Sequence, residues 1–205
     1  ALSFFIGIIM ASAVDICNSA LNMIGASTIL ALNEDSKAGR ICNQRYSFVR
    51  DSVFRAHPWN CLITRQILAP DAVAPSFTYA KQFTLPTDPF CLRVLKLSDP
   101  EIKFEIEGRK LLCDESTINL IFVARVIDPN EYDQLLINTI ESAIAADIAY
   151  ALIGSTTLTA TMHELYRKKL TEARFVDATE GNTINTSSIA DSDVLAANTF
   201  INARL

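Results

Sequence analysis

Two histidines, five cysteines and a scatter of carboxylates are the groups in this 205-residue chain that could do chemistry. Nucleophilic catalysis needs a base within hydrogen-bond reach of a nucleophile, and histidine is the usual base near neutral pH. His57 lies in a His57-Pro58-Trp59 corner, where a structural role is expected: the histidine fixes the turn and Trp59 anchors the preceding helix against a sheet. His163 falls on a Thr/Glu-rich helix start and reads as exposed or as a subunit contact. Cys17, Cys42, Cys61, Cys91 and Cys113 stand singly, with no CxxC pair and an odd total, so neither a disulfide framework nor a zinc site is expected. The glycines are too separated to cradle phosphates, and neither GxGxxG nor GxxxxGK(S/T) occurs.

Carboxylate pairs can be picked out at Asp114 with Glu115 and at Glu131 with Asp133. Glycan hydrolysis, however, needs two carboxyls facing each other across an aromatic-lined cleft, and the one tryptophan is assigned to the core. The expectation is therefore no catalytic residue, no cofactor and no metal. Asp147 is the sharper anomaly, because it interrupts an alanine-rich apolar helix where an unpaired buried carboxylate would be costly. It is read either as exposed on a narrow polar edge or as paired with an adjacent subunit, through Arg or Lys residues of the second or fourth helix. Both readings point to assembly.

The elements that must hold these residues follow from periodicity. Half of the residues are hydrophobic and a fifth are charged, which provides a core and surplus apolar surface for oligomerisation. The net charge of −5 argues against a dedicated nucleic-acid binder. Residues 1–14 are uncharged but too short to span about 30 Å of hydrocarbon, and they lack the basic n-region of a signal peptide. They read as an arm packing on its own subunit or a neighbour, or in part, over 1–9, as sequence from an upstream start.

All seven prolines lie between Pro58 and Pro129, which divides the chain into helical, β and helical parts. Val14, Cys17, Leu21 and Ile24 recur at helical spacing before Gly25. Ser36 caps a second helix with a buried stripe of Ile41, Cys42, Phe48, Val49 and Val53, ending near Ala56 ahead of Pro58. Strands are expected over 77–85 and 92–97, and a half-buried strand where Ile102, Phe104 and Ile106 alternate with charges. A hairpin at Gly108 leads into 110–113, and 118–127 is a central strand. Asp128-Pro129-Asn130-Glu131 is expected to start a helix about 40 Å long that runs to Ile153. Thr161 and Glu164 have capping-box spacing in or at the start of a fourth helix ending before Gly181, and 182–205 is a polar tail without periodicity.

In this order, DICNSALNMIGAS, SKAGRICNQRY, RDSVFRAHPWNC, FTLPTDPFCLRVL, FEIEGRKLLCD and the alanine-rich helix after DPNEYD resemble the tail tubular protein A family of short-tailed bacteriophages. The closing FINARL resembles that family's aromatic residue followed by Ala-Arg, with phenylalanine where tryptophan is commoner. The resemblance implies an α+β fold: a four-helix bundle built from both ends of the chain (12–64 and 128–181) with an inserted antiparallel β domain (65–127) and a C-terminal tail (182–205). It implies a non-enzymatic virion protein, assembled in the host cytoplasm as a homo-oligomeric ring, typically a dodecamer, between the portal protein and the tail nozzle protein. Tail fibres are a further candidate contact. Genome DNA would pass through the channel without specific binding, and no membrane is involved. A ring of about twelve copies would carry roughly −60 charges, a field that repels DNA from the wall. Asp147, Phe200, Ile201 and Arg204 are the expected subunit or portal contacts, and His57, Pro58 and Trp59 the structural anchor. A virion-associated glycan hydrolase and a neck connector of a long-tailed phage are the alternative readings.

Overall fold

Gln134–Ile153 is apolar around nearly its whole circumference, so the rest of the chain must surround it. In the computed structural model, which describes residues 11–180, it does. The fold is mixed α+β, with four helices and two small antiparallel sheets: α1 (Ala13–Met23), α2 (Lys37–Ala56), β1 (Ile63–Leu68), β2 (Lys81–Thr84), β3 (Cys91–Leu97), β4 (Glu105–Glu107), β5 (Lys110–Cys113), β6 (Ile118–Ala124), α3 (Gln134–Ile153) and α4 (Thr156–Glu180). Helix α3 packs against α1, α2 and α4. Its length and composition would suffice for a membrane crossing, but Leu136, Ile140, Ile144, Ala145 and Ile148 are fully buried among its neighbours.

Local chemistry explains where the helices begin and stop. Ser12 and Asp15 form a reciprocal capping box at α1. Ser36 accepts from the Gly39 N–H at α2, and α2 ends at Ala56 because His57, preceding Pro58, is extended at φ −149° and ψ 150°. The start of α3 differs from expectation. Asp128 caps only a separate 3-10 turn, Pro129–Glu131, after which Tyr132 is extended at ψ 145°. The Tyr132 hydroxyl donates to the Val126 carbonyl at 2.8 Å and its ring meets Phe54 edge-on at 5.3 Å, so this residue leaves the helical path. Asp133 then caps a 20-residue helix, accepting from Leu135 and Leu136 N–H. That makes α3 about 30 Å long rather than 40 Å. Gly154, at φ +73°, closes α3 in the left-handed conformation and turns the chain into α4. Thr161 lies inside α4, whose first turn is served by Ser155.

One member of the expected α2 stripe is misplaced: Phe48 is 67% exposed, and the buried positions are Cys42, Tyr46, Val49, Val53 and Phe54. Phe48 falls between stripe positions that recur three or four residues apart.

The strands form two sheets, ordered β1-β6-β3 and β2-β5-β4, each antiparallel throughout. Central β6 is apolar on both faces, as its sequence requires. Val123, with Leu92 of β3, joins the helical core, whereas Phe122, Leu120, Ala124 and Cys91 join Phe83, Leu111 and Cys113 in a second core between the sheets. Glu107 and Lys110 pair across Gly108-Arg109, with Gly108 at φ +58° as a hairpin turn of this length requires. Strand β4 is exposed along its whole length, not half-buried, because it is a sheet edge; Ile102 and Phe104, ahead of it, are the residues that pack on the second core. Strand β1 was not anticipated by the sequence pattern.

Arginines tie helices to sheets. Arg55 donates to the Leu92 carbonyl while Arg93 donates to the Arg55 carbonyl at 3.2 Å. Phe90 lies between two guanidinium groups, Arg109 at 4.1 Å and Arg125 at 4.3 Å from its ring centre. Arg125 in turn reaches Asp51 of α2 at 2.7 Å, and Arg109 donates to the Leu85, Pro86 and Cys91 carbonyls.

Candidate functional site

The His57-Pro58-Trp59 corner is built by the abrupt end of α2. Trp59 is fully buried, and its indole N–H donates to the Val53 carbonyl at 3.0 Å, serving one of the acceptors left open at a helix C-terminus. The His57 ring stands edge-on to Trp59 at 4.9 Å. His57 Nε2 lies 2.9 Å from Asp177 Oδ2 on α4; since a carboxylate only accepts, the ring nitrogen donates. The other carboxylate oxygen accepts from the Asn60 backbone N–H at 2.9 Å, and Asn60 Nδ2 donates to the Asp177 carbonyl at 2.6 Å. Both carboxylate oxygens are thus occupied in latching the corner to α4.

A histidine held by a carboxylate is half of a nucleophilic relay. The other half is missing: among the described residues no hydroxyl or thiol hydrogen-bonds to His57. Cys61 is close in sequence, but burial raises its thiol, and the nearby Asp177 and Asp133 charges raise it further. Burial likewise raises Cys91 and Cys113. Its neighbour Cys42 of α2, together with burial, pushes the Cys17 thiol of α1 well up, so none of these four raised thiols is primed as a nucleophile.

Asp147 is met within its own chain. Arg45 of α2 grips it with two hydrogen bonds, Nε to Oδ2 at 2.6 Å and Nη2 to Oδ1 at 2.8 Å. This is the forked geometry of a strong guanidinium–carboxylate pair, and it raises the Arg45 pKa. The partner expected from a neighbouring subunit's second or fourth helix is supplied intramolecularly by α2. Around the pair, Phe48, Ala143, His163 and Tyr166 line a groove of about 250 Å³ between α2, α3 and α4. His163 is exposed on its rim.

One member of each suggested carboxylate pair has a structural duty, and the other is on the surface. Asp114 accepts from the Ala80 N–H at 2.8 Å, Asp133 caps α3, and Glu115 and Glu131 are exposed. Lys110 holds Asp71 below the usual carboxylate range. No group of three or more His, Cys, Asp or Glu side chains is arranged to hold a metal among the described residues. Phe200, Ile201 and Arg204 lie outside the described residues, as do 1–10 and 181–205.

Asp177 is the residue the sequence reading missed. It sits at a core position of α4 in register with Met162 and Ala173, and a carboxylate on that stripe is the signal that could have found it. The surface also carries large apolar side chains: Phe48, Ile67, Phe77, Tyr150 and Phe175 are each 60% exposed or more. No protein-family model matches this chain, and no curated protein matches it either.

Proposed function

We propose that this chain is a structural virion protein: the head-to-tail adaptor that joins as a ring, about a dozen copies by resemblance, between the portal and tail nozzle of a short-tailed bacteriophage. In this reading the four helices act as one bundle contributed by both ends of the chain and form the ring. The β strands between α2 and α3 act as an inserted unit facing the nozzle and fibres, and DNA passes through the lumen. The protein is not an enzyme in this role.

The supporting observation is the order and packing of the elements. Among the described residues two helices come first, six strands follow, and two helices return, with α3 packed on α1, α2 and α4. That is the sequence of parts the adaptor resemblance implies. Exposed aromatic residues on α2, α3 and α4 supply apolar surface for subunit contacts. Ring closure then needs one patch of each copy to meet a different patch of the next.

Native mass measurement of the purified protein, alone and mixed with portal rings, tests the reading. A closed multimer bound to portal is expected. A monomer that ignores portal and turns over cell-wall glycan would overturn it in favour of a hydrolase.

A further inference from the structure

The segment joining β1 to β2, residues 69–80, presents an aromatic side chain to solvent from a strained but clamped backbone. It reads APDAVAPSFTYA, with Asp71 as its single charge. Phe77 is 81% exposed and Val73 71%. Directly after Phe77, Thr78 adopts φ +72°, the one positive φ outside glycine among the described residues. The Tyr79 N–H donates to the Phe77 carbonyl at 2.9 Å, two residues back. That hydrogen bond over a central residue at positive φ makes a γ-turn of the rare, strained form, and for a β-branched residue the conformation is an outlier. Such strain persists only where the surroundings over-determine it. Here both ends of the loop are held. The Asp71 N–H donates to the Gln82 carbonyl at 2.8 Å, and the Asp71 carboxylate accepts from the Thr84 hydroxyl at 2.9 Å and from the Lys110 ammonium. At the far end the Ala80 N–H donates to Asp114 at 2.8 Å. None of this buries Phe77. A preorganised, exposed aromatic side chain is what an anchor for a partner requires.

A seat for such a side chain lies on the same molecule. Arg65, Ile67, Asn119 and Ile121 line an open groove of about 360 Å³ on the β1-β6-β3 sheet. Arg65 is opposite Ile121 and Ile67 opposite Asn119, so the four share one face, turned away from the core that holds Leu120 and Phe122. Ile67 is 70% exposed, and Arg65 is in no ion pair among the described residues. A free guanidinium beside an aliphatic floor fits an aromatic ring, and the protein itself places Phe90 between Arg109 and Arg125 in this way.

We infer that Phe77 of one copy seats in this groove of the next. Three other grooves are poorer seats. The one beside Phe90 is rimmed by Asp88, Asp128 and Glu131, and carboxylates repel the negative face of a ring. Along α4 the lining is a single helix face bearing Glu164, Arg167, Lys168 and Glu172. Between α2, α3 and α4 the Arg45 guanidinium is already taken by Asp147. A lipid surface is the poorer occupant for the loop, because residues 69–80 carry no Lys or Arg to meet headgroups. Knob and groove are different surfaces, so copies add head to tail, as ring closure requires. The inference rests on the ring reading and specifies one of its contacts.

Complementation with the full chain tests it. Phe77→Ser removes the knob and keeps the groove, whereas Arg65→Glu with Ile67→Glu spoils the groove and keeps the knob. All three positions are exposed, and Trp59 fluorescence checks that each variant folds. In sedimentation velocity the parent is expected to form species larger than a dimer, and each variant alone to associate at least about ten-fold more weakly. An equimolar mixture should give a complex of two chains and nothing larger, because one variant supplies only the groove and the other only the phenyl ring. A variant that fails to fold cannot supply its half. A parent that stays monomeric or stops at two copies, variants that assemble like the parent, or a mixture that yields no complex would each overturn the inference. Flotation of the parent with phosphatidylcholine vesicles, lost in Phe77→Ser, would overturn it in favour of a lipid surface. Where the variants assemble like the parent, the ring reading survives through another surface; it falls with the inference only if the parent also ignores portal rings.

Discussion

Replacing Asp177 by alanine isolates the latch between the α2 corner and α4. The substitution deletes the acceptor of two donors, His57 Nε2–H and the Asn60 N–H, both held at 2.9 Å. The side chains of His57 and Asp177 are only 11% and 8% exposed, so water replaces the lost acceptor incompletely. Leaving a buried donor unmet costs about 1 to 3 kcal/mol. Asn60 Nδ2 keeps its bond to the Asp177 backbone carbonyl, so the helix end stays tethered and the two losses are not compounded by detachment. The expected destabilisation is therefore about 3 kcal/mol. Asp177→Asn, which keeps an oxygen for the Asn60 N–H, should cost about half as much. Urea unfolding followed by fluorescence suits the question, because the chain's one tryptophan is Trp59, edge-on to His57. A lower midpoint with an unchanged denaturant slope is the expected result. A midpoint indistinguishable from the parent's would refute the latch and leave the His57–Asp177 contact without energetic weight.

Three further outcomes follow from the same geometry. Gly154→Ala should destabilise by about 1 to 2 kcal/mol from backbone strain alone, since the residue sits at φ +73° with nothing within 4 Å of an added methyl; thermal unfolding reads it. Asp147→Asn should lower stability by less than about 1 kcal/mol, because the Arg45 pair is partly exposed, and should leave sedimentation behaviour as in the parent, because the charge is matched within the chain. Burial raises the Glu141 carboxyl above its ordinary 4.5, against weaker lowering by Ser19 and Lys169. The folded state then binds the proton more tightly, so stability falls as pH climbs from the unfolded value through the raised one. Glu141→Gln should melt higher than the parent at neutral pH, with the advantage gone below that window.

Elements whose ends are set by neighbours in sequence were legible. The Ser36 cap, the stop before Pro58 and the Gly108 hairpin each depend on residues a few places apart. Strand β1 was hidden because Ile63 and Ile67, with Arg65 between them, face outward, so its apolar alternation marks the exposed side. Phe48 was placed in the core by residue type, although its angular position on α2 turns it to the surface. At the start of α3 two aspartates compete, and the tertiary seat of Tyr132 on Phe54 decides for Asp133. The partners of Asp147 and His57 lie 102 and 120 residues away, so no local pattern could name them. What could be read was that Asp147, if buried, needed one.

The central sheet couples the two halves of the molecule more closely than the segmentation of the chain implies. Phe122 and Val123 are neighbours on β6, yet one belongs to the core between the sheets and the other to the helical core; Cys91 and Leu92 divide in the same way on β3. A strand cannot release one of two adjacent residues and keep the other. Melting of the sheets would therefore withdraw Leu92 and Val123 from beneath the helices, and the chain should lose its structure in one cooperative transition. Strain applied to the β strands would reach α3 through the same few residues.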